Sequence, residues 1–187
     1  MSDSIRVGLI GYGYASKTFH APLIAGTPGM ALAAVSSSDA TKVHADWPTV
    51  PVVSEPKHLF NDPNIDLIVI PTPNDTHFPL AKAALEAGKH VVVDKPFTVT
   101  LSQARELDAL AKSLGRLLSV FHNRRWDSDF LTVKALLSEG TLGEITFFES
   151  HFDRFRPQVR NRWREQAGPG SGIWYDLAPH LLDQAVN

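Results

Sequence analysis

The chain has 187 residues, of which 43% are hydrophobic, and this suits one ordinary domain or one domain with part of a second. A formal net charge of −2 gives no electrostatic reason to expect nucleic acid or an anionic membrane as a partner, and the absence of cysteine excludes disulfides and thiolate metal sites. Because the N-terminus lacks the basic region of a signal peptide and no apolar run is long enough to cross a bilayer, we expect a cytoplasmic protein.

The chain opens with an apolar run that leads into a glycine-rich turn. Residues Ile5–Ile10 predict a buried parallel strand, and helix-compatible sequence follows over Ser16–Leu23. Between them, Gly11 allows a tight turn and Gly13 lets the backbone approach a pyrophosphate at the helix N-terminus. Ser16 stands where such motifs usually have a third glycine. The pattern indicates a dinucleotide site, and the alternative is a turn that binds nothing.

Strands and helices then alternate up to about residue 121. The further predicted strands are Met30–Val35, Val50–Val53, Ile65–Ile70, His90–Val93 and Leu117–Val120. Two further predicted helices are Asp39–Asp46 and Pro56–Phe60. A third is capped by Asn74 or Asp75 and runs to Ala87, and a fourth runs from a Thr100–Gln103 capping box to Gly115. This alternation predicts an α/β fold whose first domain, residues 1–121, is a doubly wound parallel sheet.

In such a sheet, ligands bind beyond the carboxyl ends of the strands. The residues that could bind a ligand or take part in a reaction fall at those ends. They are Gly11 and Gly13, Ser36–Ser38, Thr72–His77, Lys95, and His122–Arg125. Lys95 can donate to a substrate oxygen there and stabilise developing alkoxide charge. The alternative is a solvated lysine in a loop.

The end of the second strand bears on which dinucleotide is preferred. An NAD enzyme usually has Asp or Glu there, and that charge repels the 2′-phosphate of NADP. The chain instead has Ser36, Ser37 and Ser38, whose hydroxyls can donate to phosphate, and Lys42 follows as a nearby cation. We therefore predict NADP over NAD. Asp39 is the counter-evidence, because a carboxylate turned inward would serve NAD rather than cap the next helix.

The pattern changes in the last third of the chain. Asp127 is expected to cap a helix that ends at Gly140, and the period-two alternation of Ile145–Phe155 predicts a long strand suited to an antiparallel sheet. Ile173–Asn187 is expected to be helical. Because a lone strand is not stable, we expect residues 122–187 to be the truncated start of a second domain, or the strand to pair with another chain, and within this chain it should be unpaired or at an edge.

Three titratable residues fall on one face of the last predicted helix. Asp176, His180 and Asp183 are spaced i, i+4 and i+7. A histidine can take a proton from an alcohol near neutral pH, and a carboxylate one turn away can orient it. The alternative is a surface Asp–His pair without a role. A metal site is disfavoured, because the eight histidines include no HExxH motif and no close pair.

A run of arginines with aromatic neighbours also resembles a nucleic-acid patch, comprising Arg154, Arg156, Arg160, Arg162 and Arg164 with Phe152, Phe155 and Trp163. From Phe121 onward, however, eight Lys and Arg stand against nine Asp and Glu. This balance favours a loop that faces sugar or phosphate, or a solvated surface, over nucleic acid.

Taken together, these residues resemble the Gfo/Idh/MocA family of oxidoreductases. The motifs are Gly11-Tyr12-Gly13, Thr72-Pro73-Asn74 with His77, Asp94-Lys95-Pro96, and Gly172 leading to Asp176 and His180. His122–Asp127 and Arg162–Glu165 resemble the branch with NADP-dependent scyllo-inositol dehydrogenases. The resemblance covers essentially the whole chain, with Ser16 in place of Gly or Ala and Asp94 in place of the family's usual Glu. It implies a Rossmann-type first domain and a second domain with a largely antiparallel sheet that often carries the oligomer interface.

The resemblance also implies roles for individual residues. Lys95 would position the substrate hydroxyl, His180 would be the general acid/base, and Asp176 would help hold His180 and the substrate. Asn123 and Arg124 would reach toward a polyol. The cofactor contacts expected are Gly11, Gly13, Tyr14, Ala15, Ser36, Ser37, Ser38, Lys42, Thr72, Asn74, His77, Lys95, Pro96, Asn123, Trp163 and Arg164. No metal is expected.

Two functions therefore compete. The first is an NAD(P)-dependent dehydrogenase of a cyclic polyol or sugar, and a homo-oligomer through the C-terminal sheet when full length. The second is a nucleotide-sensing or partner-binding module without catalysis. Lys95 together with Asp176 and His180 favours the enzyme, because a binding module does not need them. The unfinished second domain favours the module for the chain as it stands.

Overall fold

The structure, a computed structural model, describes residues 4–153, 155–158, 161–162 and 165–187. The chain divides into two compact units, Met1–Val120 and Phe121–Asn187. In the described part of the chain, no helix is long and apolar enough to cross a membrane.

A six-stranded sheet forms the centre of the first unit. Its strands are β1 (Ile5–Ile10), β2 (Met30–Ser36), β3 (Val52–Val53), β4 (Leu67–Ile70), β5 (His90–Asp94) and β6 (Leu118–Phe121). Their order is β3-β2-β1-β4-β5-β6, and the pairs β1–β2, β1–β4, β2–β3 and β4–β5 are parallel. The strand order reverses between β1 and β4, which is where a doubly wound sheet opens a ligand crevice. The predicted fold class is confirmed.

Helices cover both faces of this sheet. They are a π-helical segment (Ser16–His20), α1 (Ala21–Gly26), α2 (Ala40–His44), α3 (Pro56–Phe60), α4 (Asn74–Glu86) and α5 (Leu101–Ser113). Successive residues of a strand point to opposite faces, so Ile68 and Ile70 join the core with α4 and α5, while Val69 joins the core with α1 and α2. Gly8 on β1 borders the core that contains α4 and α5, because a Cβ added to it would lie 3.0 Å from Ile68 Cδ1.

Local hydrogen bonds mark the starts of α4 and α5. The Thr100–Gln103 capping box of α5 is confirmed by bonds in both directions. The predicted cap of α4 is wrong, because Pro73 is the N-cap and Asn74 is already helical. Pro73 has an extended ψ of 145°, and its carbonyl accepts from Thr76 Oγ1 at 2.6 Å, so the turn closes before Asn74.

The second unit contains a 3₁₀ turn (Asn123–Trp126), α6 (Ser128–Ser138) and α7 (Ile173–Ala185). The predicted strand at Ile145–Phe155 is not formed by its described residues, 145–153 and 155, which lie in irregular backbone. The side chains of Phe147 and Phe155 are 77% and 92% exposed. A strand exists only where a neighbour supplies its hydrogen bonds, and the described part of this unit offers none.

Candidate functional site

The glycine turn after β1 has the geometry that a pyrophosphate needs. Gly11 has a φ of +79°, a conformation that favours glycine, and its N–H donates to the Ser36 carbonyl at 2.7 Å. The buried hydroxyl of Ser16 donates to the Gly11 carbonyl at 2.8 Å, so serine at the third position ties the turn to the helix. A Cβ added at Gly13 would meet no heavy atom within 4 Å, so the space beside this backbone is open to a ligand. This turn fits a dinucleotide phosphate.

A cleft of about 350 Å³ lies beside this turn. It is lined by Tyr12, Gly13, Tyr14, Lys17, Thr18, Lys42 and Ala45. Asp46 contacts two of these lining residues: its carboxylate accepts from the Tyr12 hydroxyl at 2.9 Å and lies 2.8 Å from the Lys17 ammonium. Burial and the Asp46 carboxylate raise the pKa of Tyr12 to about 12, so the phenol keeps its proton. Sequence reasoning missed Tyr12, Lys17 and Asp46; the position of Lys17 one turn after Gly13 was the available signal.

The serines at the end of β2 differ in exposure. Ser36 is buried and Ser38 is exposed, while the Ser37 hydroxyl contacts the backbone of Asp39 at 3.1 Å. The Asp39 carboxylate caps α2, accepting from the backbone N–H groups of Thr41 at 3.1 Å and Lys42 at 3.4 Å. The hydrogen bond from the Thr41 hydroxyl lowers the pKa of Asp39. Asp39 is therefore engaged at the helix terminus.

The loops after β4 and β5 are joined by a buried histidine. The His77 side chain is 0% exposed, with Nδ1 2.8 Å from the Pro96 carbonyl and Nε2 2.9 Å from the Thr72 carbonyl. Asn74 is also buried. His77 ties the Thr72 loop to the segment that carries Lys95 and Pro96. The expected contacts of Thr72, Asn74 and His77 with the cofactor stay a prediction. Burial lowers the pKa of His77.

We expect the buried His77 side chain to make the unfolding free energy depend on pH. In the unfolded chain this ring is protonated below about pH 6.5, whereas burial in the fold disfavours the imidazolium. The contribution of neutral His77 to the unfolding free energy is therefore present above that pH and is lost as the pH falls. The melting temperature should therefore fall between about pH 7.5 and about pH 5.5. His77→Gln should flatten this dependence and lower the unfolding free energy by about 1–3 kcal/mol at neutral pH.

The matched control for this experiment is His58→Gln, because His58 is exposed on α3. It should keep the wild-type pH dependence of the melting temperature. A His77→Gln protein with the same acid dependence as wild type would contradict the assignment.

Lys95 follows β5 directly and is half-buried. Its backbone N–H donates to Asp94 Oδ1 at 2.9 Å, and Asp94 Oδ2 lies 3.9 Å from Nε2 of the buried His20. Burial opposes ionisation of Asp94, but the neighbouring His20 ring, the Lys95 backbone N–H and the charge of Lys95 together lower the pKa of this carboxyl. The sequence did not identify His20 as a neighbour of the Asp94–Lys95 segment, since it lies on a separate element.

In the second unit, α7 places Asp176 and His180 one turn apart. The His180 side chain is 7% exposed, and its ring centroid lies 6.3 Å from that of Phe152. Asp176 borders a cavity of about 250 Å³ with Phe152, Arg156, Arg162, Glu165, Gly172, Ile173 and Leu177. Arg162 Nε donates to Glu165 Oε2 at 2.8 Å and Nη2 contacts Oε1, so the lining carries both signs of charge.

The residues expected to face a polyol lie in the 3₁₀ turn. Arg124 Nη1 donates to Asp127 at 2.7 Å, and its guanidinium carbon is 5.0 Å from the Phe152 ring centroid. Asn123 is the first residue of the same turn. Trp163 and Arg164 lie outside the described residues. Within the part of the chain that the structure describes, no group of three or more His, Asp or Glu side chains could hold a metal ion.

Two family models match the chain. The model for the oxidoreductase family with an NAD-binding Rossmann fold, Gfo/Idh/MocA, matches residues 5–122, and the model for the Gfo/Idh/MocA C-terminal domain matches residues 130–187.

Individual relatives agree with this match. The chain is 90% identical over 186 residues to the uncharacterized oxidoreductase YdgJ of Escherichia coli K12, with 100% of this chain and 54% of the relative covered. It is 42% identical to scyllo-inositol 2-dehydrogenase (NADP(+)) IolW of Bacillus subtilis, with 99% and 52% covered. The solved structure of the YPO2259 putative oxidoreductase from Yersinia pestis matches with a TM-score of 0.93 and 75% identity, with 100% and 52% covered.

The chain thus spans about half the length of the curated relatives it matches. The resemblance to the branch with NADP-dependent scyllo-inositol dehydrogenases is supported by the similarity to IolW. With matches to both domains of the family and an N-terminal sheet of the corresponding fold, the chain belongs to the Gfo/Idh/MocA family of oxidoreductases.

Proposed function

We propose that the full-length protein transfers a hydride between NADP and a secondary alcohol of a cyclic polyol or sugar of the inositol type. The observation that carries this proposal is the placement of Lys95 at the carboxyl end of β5, in a chain whose family has an NAD-binding Rossmann fold. The 42% identity to a relative named as an NADP-dependent scyllo-inositol dehydrogenase supports the substrate class.

When bound, the nicotinamide supplies the acceptor for the hydride that leaves the alcohol carbon. The Gly11–Gly13 turn and the cleft beside it would hold the cofactor phosphates. Lys95 donates to the substrate oxygen and stabilises its developing negative charge. His180 takes the hydroxyl proton, and Asp176 on the same helix holds the substrate and the imidazole.

The cavity beside Asp176 supports an uncharged substrate. Two arginines, Arg156 and Arg162, face it, but Glu165 lies 3.6 Å from Arg156 and forms a two-contact ion pair with Arg162. With Asp176 included, positive and negative charges are equal. Such a lining offers many donors and acceptors to hydroxyl groups without a net attraction for a phosphate or a carboxylate.

The cofactor preference rests on Asp39. A carboxylate free to turn inward would bind the ribose hydroxyls of NAD, but this one is occupied by the N-terminus of α2 and by Lys42, whose ammonium lies 3.4 Å away. Ser38 is exposed, and Lys42 lines the cleft beside the glycine turn. These groups suit the 2′-phosphate of NADP.

We expect Ser37→Asp to reverse this preference or to weaken it sharply. A carboxylate at residue 37 would repel the 2′-phosphate and could accept from the ribose hydroxyls, so kcat/KM should fall with NADP and rise with NAD. The measurement is the ratio of the two efficiencies in wild type and variant, with Ser113→Asp, at an exposed position on α5, as the control. Equal or better efficiency with NAD in the wild type would contradict the NADP assignment.

The test of the proposed function is a screen of polyols and aldoses with both cofactors on the full-length protein, with reduced cofactor measured by its absorbance. Cyclic polyols should be oxidised with NADP. If the protein binds the dinucleotide but oxidises no polyol or sugar, the alternative of a nucleotide-sensing module replaces the enzyme. We further propose a homo-oligomer formed through the C-terminal sheet in the full-length protein, which light scattering would test.

A further inference from the structure

In the second unit, a buried carboxylate on α7 holds the turn that precedes α6. The Asp183 side chain is 8% exposed and accepts two hydrogen bonds from Arg125, from Nε at 2.7 Å and from Nη2 at 2.6 Å. His122 Nδ1 lies 3.7 Å from the same carboxylate. A two-bond pairing of this kind fixes orientation as well as distance.

Further contacts connect the same two elements. The Gln184 side-chain amide, next to Asp183 on α7, donates to the Arg124 carbonyl at 3.2 Å. The Arg124 guanidinium lies against the Phe152 ring, and that ring lies against the His180 ring. The 3₁₀ turn is therefore connected to α7 both directly and through the aromatic ring beside His180.

Stability alone is a weak explanation for such a pair. Burying a carboxylate costs desolvation free energy that the ion pair only partly offsets, and apolar residues of similar size often serve stability as well. A buried carboxylate that is held by a two-bond partner on another element is suited to fixing register. Asp183 lies one turn beyond His180 on α7, so a carboxylate held by Arg125 fixes the rotation of the helix that presents the imidazole.

We propose that the Arg125–Asp183 pair is a positioning device, which keeps the polyol-facing residues Asn123 and Arg124 in register with His180. This inference rests on the proposed function. Arg125 and Asp183 act through these neighbours and are not themselves assigned a contact with the substrate. Because a displacement of about 1 Å can cost about 10²-fold in rate, a loosened turn should reduce catalysis far from the substitution itself.

The experiment compares Arg125→Ala, Arg125→Lys and Asp183→Asn in the full-length protein. Arg125→Ala should lower kcat/KM for the polyol by about 10²-fold, through both kcat and KM, while the dissociation constant of NADP, to which the Gly11–Gly13 turn contributes most, changes far less. Arg125→Lys should recover part of the loss, because it keeps the charge but not the two-bond fork. The control is Asp108→Asn, which removes an exposed ion pair with Lys112 on α5 and should leave all three quantities unchanged.

A second measurement does not depend on turnover. Amide hydrogen exchange in the Asn123–Trp126 turn and in α7 should accelerate in Arg125→Ala, and exchange in the first unit should not change. Because the Arg125 side chain is nearly half exposed, we expect its variants to fold. They test the proposal even if Asp183→Asn does not fold.

The outcomes separate this inference from the proposed function. If wild type oxidises the polyol and Arg125→Ala matches its kcat and KM while only its melting temperature falls, the pair is a structural tie and the positioning role is wrong. Unchanged hydrogen exchange in the turn would also overturn it. If wild type oxidises no polyol or sugar with either cofactor, the proposed function fails instead.

Discussion

Replacing His180 with alanine in the full-length protein should lower kcat for the polyol by about 10²–10⁴-fold at neutral pH, the usual size of general acid–base assistance. The imidazole is buried on α7 beside Phe152, and we assign it the removal of the hydroxyl proton. Since the cofactor phosphates are assigned to the glycine turn of the first unit, the dissociation constant of NADP should stay near its wild-type value. Steady-state kinetics and a fluorescence titration of the cofactor measure the two quantities.

The matched control is His58→Ala, an exposed histidine on α3 that should leave kcat unchanged. A His180→Ala protein that retains near-normal kcat at neutral pH would show that another group takes the proton. Lost cofactor binding in this variant would instead mean that the substitution disturbs more than the proton transfer.

Lys95→Ala should reduce kcat and kcat/KM together, by about 10²–10³-fold, because a donor aimed at a developing oxyanion stabilises the transition state more than the ground state. Lys95 is half-buried at the end of β5, and its backbone is fixed by the Asp94 carboxylate. Lys95→Arg should not restore full activity, because the guanidinium differs in size and donor geometry from an ammonium.

The control for this second prediction is Lys57→Ala, which removes an exposed lysine paired with Glu55. Its kinetics should match wild type. If Lys95→Ala raised only KM and left kcat intact, Lys95 would contribute uniform substrate binding rather than stabilisation of the transition state.

Much of the first unit could be predicted from local patterns. Apolar runs such as Ile5–Ile10 and the capping box at Thr100 are set by neighbouring residues, because strand periodicity and helix caps use hydrogen bonds and side chains within a few positions. The alternation of these elements was enough for the doubly wound sheet, and the sheet in turn places Lys95 at a carboxyl end. The same local logic failed at Asn74, because Pro73 closes the turn one residue earlier.

The contacts that shape the candidate site could not be read in this way. Asp46 is 34 residues from Tyr12, and Asp183 is 58 residues from Arg125, so no short-range pattern pairs them. Asp183 has the helical spacing to serve His180, yet its carboxylate faces the guanidinium of Arg125, since a buried charge must be matched by a partner that only the chain path supplies.

The sequence by itself determined the parallel sheet, the glycine turn and the positions of Lys95 and His180 on their elements, because each follows from periodicity and turn chemistry along the chain. Tertiary structure decided that Asp39 caps α2, that His77 joins two loops and that Arg125 pairs with Asp183. It also decided that residues 145–153 are not a strand, although their alternation suits one. A period-two pattern states which side chains share a face, whereas the strand itself requires hydrogen bonds from a neighbour.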